Sequence, residues 1–240
     1  MRCKSDIKTY GFSGVLLTRF TFFAKILIET FRGISMSKII TISREFSSGG
    51  RELGKRLADA LGIPCYDHQI IEMVAERQGL DKTHVANLSE QDVYIFYPNT
   101  IGRGFINSSL TVLPSMQIAA EESKLIKELA EKGDCIIVGR AADIILKDYN
   151  PLNIFVYADM ESKLARCKAY ATETENLTDR QLMRKIKRID KKRAAYRTLF
   201  TDKKWGHRES YDLCINTTGK EIKKLIPSLA DFAKDWFNDN

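Results

Sequence analysis

The residues best suited to chemistry lie together at Ser47-Ser48-Gly49-Gly50-Arg51, between an apolar β-branched run and a helix-like one. A strand–loop–helix junction of this kind gathers backbone N–H groups around an anion, and the helix N-terminus adds partial positive charge. Ser47 and Ser48 supply further donors, and Gly49 and Gly50 let the backbone approach. Arg51 is the first cation of the helix, and its planar fork can grip phosphate oxygens where a lysine would act as a point charge. The stretch from Gly49 to Lys55 also spells G-x-x-x-x-G-K, but Arg56 follows it instead of Ser or Thr. That register puts Lys55 a turn into the helix, remote from the strand end, so the literal match reads as accidental. In the register that respects the strand, Glu52 or Leu53 stands where a magnesium-binding hydroxyl would be. The competing reading of these residues is a tight turn with no ligand.

The elements that must position this loop follow from periodicity. Ile39 to Ser43 reads as a buried strand, and so do Cys135 to Val138, Ile154 to Ala158 and Leu213 to Ile215. Cys65-Tyr66 reads as a brief strand ending at Asp67. Helical spacing predicts helices over 51–61, 69–77, 115–132, 161–170, 178–200 and 220–237. The stretch from Leu80 to Pro114 mixes aromatics, glycines and polar residues with no clear period. Strands alternating with helices predict an α/β fold with a parallel sheet covered on both faces. In such sheets ligands sit beyond the carboxyl ends of the strands. Ser43-Arg44, Gly139-Arg140 and Ala158-Asp159 all end strands there.

At 240 residues the chain suits one substantial domain. Its 44% hydrophobic and 29% charged content are those of an ordered globular protein. The formal net charge of +7 predicts an anionic partner. Five scattered cysteines with no CxxC pair predict neither a zinc site nor a disulfide framework, and fit a reducing cytoplasm. A nucleic-acid partner is not expected, because no base-reading motif with interleaved aromatics accompanies the basic helix 178–200. Residues 1–35 contain an apolar stretch broken by Arg19, Lys25 and Glu29, too interrupted for stable insertion in a membrane. Met36 opens a run straight into the first strand. The segment 1–35 is therefore expected to be an extension or a mis-set start, with an amphipathic surface helix as the rival reading.

Six segments together carry a resemblance: ITISREFSSGGRELGK (40–55), GIPCYD (62–67), CIIVGRAAD (135–143), KKRAAY (191–196), KKWG (203–206) and YDLCIN (211–216). In order and spacing they resemble the cytidylate-kinase-like family over about residues 37 to 237. The resemblance implies a P-loop NTPase fold of three α/β/α layers in a kinase domain over 36–240. It also implies a monophosphate-binding insertion at about 68–114 and a helical lid at about 171–205. The activity it implies is phosphoryl transfer from ATP, with Mg2+, to a nucleoside monophosphate such as CMP or dCMP. By the same likeness Arg51, Arg188 and Arg193 are expected to be catalytic, and Asp67, Arg140 and Asp190 to bind substrate. Ser47, Ser48, Gly49, Gly50 and Arg51 would hold the nucleotide phosphates. Asp67 and Asp143 are candidates for supporting magnesium, whose direct ligands the sequence leaves unknown. Three departures stand out: no P-loop lysine, no magnesium hydroxyl, and no arginine shortly after Asp67. They keep open a second function, a nucleotide-binding regulator with a degenerate loop and no turnover. Each residue also has a plainer reading: Arg140 pairing with a carboxylate, Asp67 capping a helix, Arg188 and Arg193 on a solvated face, and Trp205-Gly206 as a packing turn.

Overall fold

A computed structural model of the chain describes residues 37–79, 109–170 and 177–238, with the side chains of 109–115 excepted. The expected extension, most of the expected insertion and the start of the expected lid lie outside the described residues.

The β-branched run forms strand β1, Ile39–Arg44, at the centre of a five-stranded sheet. Chain order then gives α1 (Gly50–Leu61), β2 (Cys65–Tyr66), α2 (Gln69–Gln78) and α3 (Ser109–Glu131). β3 (Cys135–Val138), α4 (Ala142–Ile145), β4 (Leu152–Tyr157) and α5 (Met160–Ala169) follow. The chain closes with α6 (Asp179–Arg197), β5 (Leu213–Asn216) and α7 (Ile222–Asn238). The sheet order is β2-β3-β1-β4-β5, and every pairing is parallel.

Alternation along the strands divides the core. Ile39 and Ile137 face α2, α3 and α4, while Ile40, Ile42, Ile136 and Val138 face α1 and α7. Leu53 and Leu57 seat α1 on β1 and are fully buried. Each such side chain contributes about 1.5–3 kcal/mol, comparable with the entropy lost in ordering one residue of the loop. Local signals start the next helices: Asp159 accepts from Ser162 N–H at 2.7 Å ahead of α5, and Thr178 with Gln181 forms a capping box on α6.

The fold class expected from periodicity is the one observed. α3 begins at Ser109, six residues before its expected start, because Pro114 reads as a boundary yet lies within the helix. Among the described residues no helix is long and apolar enough to cross a membrane.

Candidate active site

From β1 the chain crosses to β2 on one side, while from β4 it runs to β5 on the other. Connections that diverge like this open a crevice beyond the carboxyl ends of the strands. There a cleft of about 1030 Å³ is bordered by loop 44–49, the first turns of α1, the 139–141 turn and one face of α6. Arginines and lysines far outnumber carboxylates along its walls.

The loop after β1 is held from three directions. Glu45 N–H donates to Val156 O at 2.9 Å, and the Ser48 hydroxyl to Glu45 O at 2.8 Å. From α5, Arg166 donates to Ser47 O at 3.4 Å and to Thr217 O at 2.7 Å, while the Thr217 hydroxyl donates to Ser48 O at 2.7 Å. From α6, Asp190 accepts from Phe46 N–H at 2.6 Å, and Arg193 donates to Arg44 O at 3.0 Å and lies over the Phe46 ring. Beneath these, the buried Lys163 ammonium sits 2.5 Å from Glu45 and 3.6 Å from Asp190. Burial pushes the Asp190 carboxyl above its ordinary range, against the pull of Phe46 N–H and Lys163. The loop is thus fixed before any ligand arrives. Helix N-termini leave their first N–H groups without intrahelical acceptors, and Gly50 and Arg51, which open α1, border the cleft.

On the β2–β3 side the cations cluster. The register pairs Ile42 with Val138 on one flank and Arg44 with Val156 on the other, so Arg44 and Arg140 leave neighbouring strands at one edge of the sheet. Asp67, directly after β2, accepts from Arg44 Nη2 at 3.1 Å and also pairs with Arg51 Nε. Arg140, in the left-handed turn of residues 139–141, reaches Glu122 of α3 at 3.2 Å. Glu122 is 0% exposed and also receives the Tyr196 hydroxyl. Burial, then the Glu122 charge, holds the Tyr196 phenol well above its usual range. Asp143 and Arg197 form a buried pair beside the cleft, which Arg197 borders, with the Arg197 guanidinium over the Tyr211 ring.

The expected site residues are therefore partly gathered. Ser47, Gly49, Gly50, Arg51, Asp67, Arg140, Arg188 and Arg193 border the cleft. Ser48 and Asp190 do not: the Ser48 side chain turns inward, and the Asp190 carboxylate braces the loop from behind. Asp143, a candidate for supporting magnesium, is occupied by Arg197 in the interior. Trp205 packs edge-on against Phe155 at 5.4 Å while bordering the cleft. Lys55 lies in the second turn of α1, as the strand-respecting register requires. Sequence reading missed Arg44, Glu45, Lys163 and Arg166. The last two are three apart on α5, a spacing that puts both on one helix face and could have flagged them.

Among the described residues magnesium fits as a guest of nucleotide phosphates. Among the described residues no three His, Cys, Asp or Glu side chains form a cage. Such ions are commonly held by one or two carboxylates plus substrate phosphates. Glu52, on the cleft wall, is the carboxylate available for that, although it pairs with Arg56 at 2.7 Å.

Arg140→Ala is expected to act on folding as well as on any ligand. Among the described residues it leaves the buried Glu122 carboxylate with the Tyr196 hydroxyl as its remaining partner, costing about 3 kcal/mol. Urea denaturation checks this, and adding Glu122→Gln should recover most of the loss. An unchanged urea midpoint in Arg140→Ala would show that the pair does not hold α3 to the turn.

Three comparisons bear on this arrangement. The model of the cytidylate kinase-like family matches residues 39–219. No curated protein matches. Among solved structures, an uncharacterized protein from Eubacterium ventriosum ATCC 27560 is similar at 25% identity and a TM-score of 0.58, over 85% of this chain and 99% of that one. Shikimate kinase from Bacteroides thetaiotaomicron is similar in fold at 15% identity and a TM-score of 0.51, over 82% of this chain and 98% of that one.

Proposed function

The chain belongs to the cytidylate kinase-like family, and we propose that it transfers the γ-phosphoryl group of ATP to a nucleoside monophosphate, CMP or dCMP first among the candidates. The observation that carries this reading is the basic cleft beyond β1 and β3, with a braced loop and a helix N-terminus on one side and Asp67 with Arg140 on the other. That layout suits two anions held end to end, which is what phosphoryl transfer between nucleotides needs.

In this reading the donor phosphates lie against loop 47–50 and the free N–H groups of α1. An oxygen of the acceptor phosphate attacks the γ-phosphorus, the bond to the bridging oxygen breaks, and ADP leaves with the electron pair. Magnesium, carried on the nucleotide, would neutralise phosphate charge, with Glu52 as its protein carboxylate. Arg51 leaves Asp67 for the transferring group, and Arg188 and Arg193 supply positive charge from α6, part of the proposed lid. Cations already aimed at the charge that develops in the transition state are the chief means by which such a site accelerates transfer. The segment 171–205 is proposed to close over the nucleotides, and 68–114 to enclose the acceptor.

The test is ADP release from ATP and magnesium by the purified full chain, across nucleoside monophosphates and their deoxy forms. A selective rise with CMP or dCMP is expected, and Arg51→Ala should then lower kcat by about 100- to 1000-fold. A folded protein that binds ATP and releases no ADP with any acceptor would overturn the reading. It would leave the regulator, which the Arg51–Asp67 contact favours because it turns the loop's first cation away from the donor site.

A further inference from the structure

Arg44 ends the central strand, and its side chain is only 16% exposed although it borders the cleft. Room for it exists because residue 139 is glycine. A Cβ there would come within 1.7 Å of Arg44 Nη1, and the backbone at 139 has φ +79°, which a side chain would resist. A guanidinium carries five N–H donors. Among the described residues one bond engages them, from Nη2 to Asp67.

The charge around it is out of balance. Arg193, Arg140 and Arg51 all act on Arg44 repulsively, and the nearby carboxylate, Asp67, is shared with Arg51. Burial first and Arg193 next push the Arg44 guanidinium down to about 9, which still leaves it charged at neutral pH. A purely structural pair would need no such surplus of cations, and burying an incompletely compensated charge is costly. An arriving anion removes that cost and takes up the idle donors.

Position separates this place from the loop. Arg44 reaches toward Asp67 and Gly139 on the β2–β3 side of β1, whereas Arg166 and Thr217 brace loop 45–49 on the β4–β5 side. We propose that Arg44 binds the anionic group of the phosphoryl acceptor, with Asp67 as the anchor that aims its fork into the cleft. This rests on the two-anion reading of the cleft given above.

The experiment fills the donor site of the full-length protein with a non-hydrolysable ATP analogue and magnesium, then titrates inorganic phosphate by calorimetry and thermal shift. Wild type should bind and be stabilised. Arg44→Met should lose about 10- to 100-fold in phosphate affinity while binding the ATP analogue as wild type does, and Arg44→Lys, which keeps the charge without the fork, should fall between. Where turnover is found, Arg44→Met should raise the acceptor KM by a similar factor, with the ATP KM within about twofold of wild type. Phosphate binding that Arg44→Met leaves unchanged overturns the inference, and so does wild-type protein that binds no phosphate once the nucleotide site is filled. If Arg44→Met does not fold, Arg44→Lys alone decides: phosphate affinity equal to wild type counts against the inference, and a loss supports it. Phosphate binding that depends on Arg44, in a protein that phosphorylates no monophosphate, would overturn the proposed acceptor class and leave the anion site standing.

Discussion

Asp143→Ala is expected to lower the thermal midpoint by on the order of 10 °C. Asp143 and Arg197 are each only 2% exposed at the side chain, and they pair directly. Burial holds the Asp143 carboxyl above its usual range even with Arg197 beside it. Among the described residues, removing the carboxylate leaves the buried guanidinium with the Tyr211 ring as its remaining partner. Breaking one half of a buried pair costs about 3–5 kcal/mol, a large part of the 5–15 kcal/mol that holds a typical domain together. Replacing both partners by apolar residues is a different matter: Asp143→Leu with Arg197→Met should recover much of the loss, because no charge is then left unpaired. Circular dichroism melts of the single and double variants form the cycle that measures the pair. A single variant melting within about 2 °C of wild type would mean that the guanidinium reaches water after all.

Gly50→Ala is expected to cut turnover by about 100-fold or more while leaving most of the protein folded. A Cβ at residue 50 would lie 2.5 Å from Arg44 Cβ, 2.9 Å from Arg44 Cγ and 3.3 Å from Val156 Cβ. Neither neighbour is the loose end of a long side chain, since both crowding groups ride on the two central strands. The first turn of α1 must therefore lift from the sheet, at about 1–3 kcal/mol. It takes the N–H groups proposed to face the donor phosphates with it, and displacements of this size are what positioning catalysis cannot absorb. Asp59→Ala, on the exposed face of the same helix, should keep wild-type turnover. ADP release and nucleotide calorimetry on the three proteins check this. Near-normal kinetics in Gly50→Ala would remove the start of α1 from the site.

The sequence disclosed the scaffold far better than the wiring. Ile39 to Ser43 and Cys135 to Val138 read as β-branched runs between helical periods, so the parallel sheet and its carboxyl edge could be located. Asp67 and Arg140 stood at strand ends, and the edge of the sheet brings both to the cleft. The sequence marks Arg44 only as one of the strand ends at the ligand edge; its burial depends on Gly139, nearly a hundred positions on, which leaves a space for it. Glu45, Lys163 and Asp190 form one ion cluster from three distant parts of the chain, and no local pattern announces such a meeting. The family resemblance places Asp190 near substrate, yet its carboxylate is taken by Phe46 N–H. Pro114 hid the start of α3 for the opposite reason, a strong local signal overruled by the helix around it.

α6 grips the loop at both Phe46 N–H and Arg44 O, while Lys185, Arg188 and Lys192 on the same helix border the cleft. Detachment of that helix and loosening of the loop are consequently coupled rather than independent events. Whatever fills the loop must tighten the docking of α6 by the same factor as docking tightens its hold on the ligand. A latch of this design needs no separate sensor: the brace that shapes the loop also reports to the far end of a 19-residue helix whether the loop is occupied.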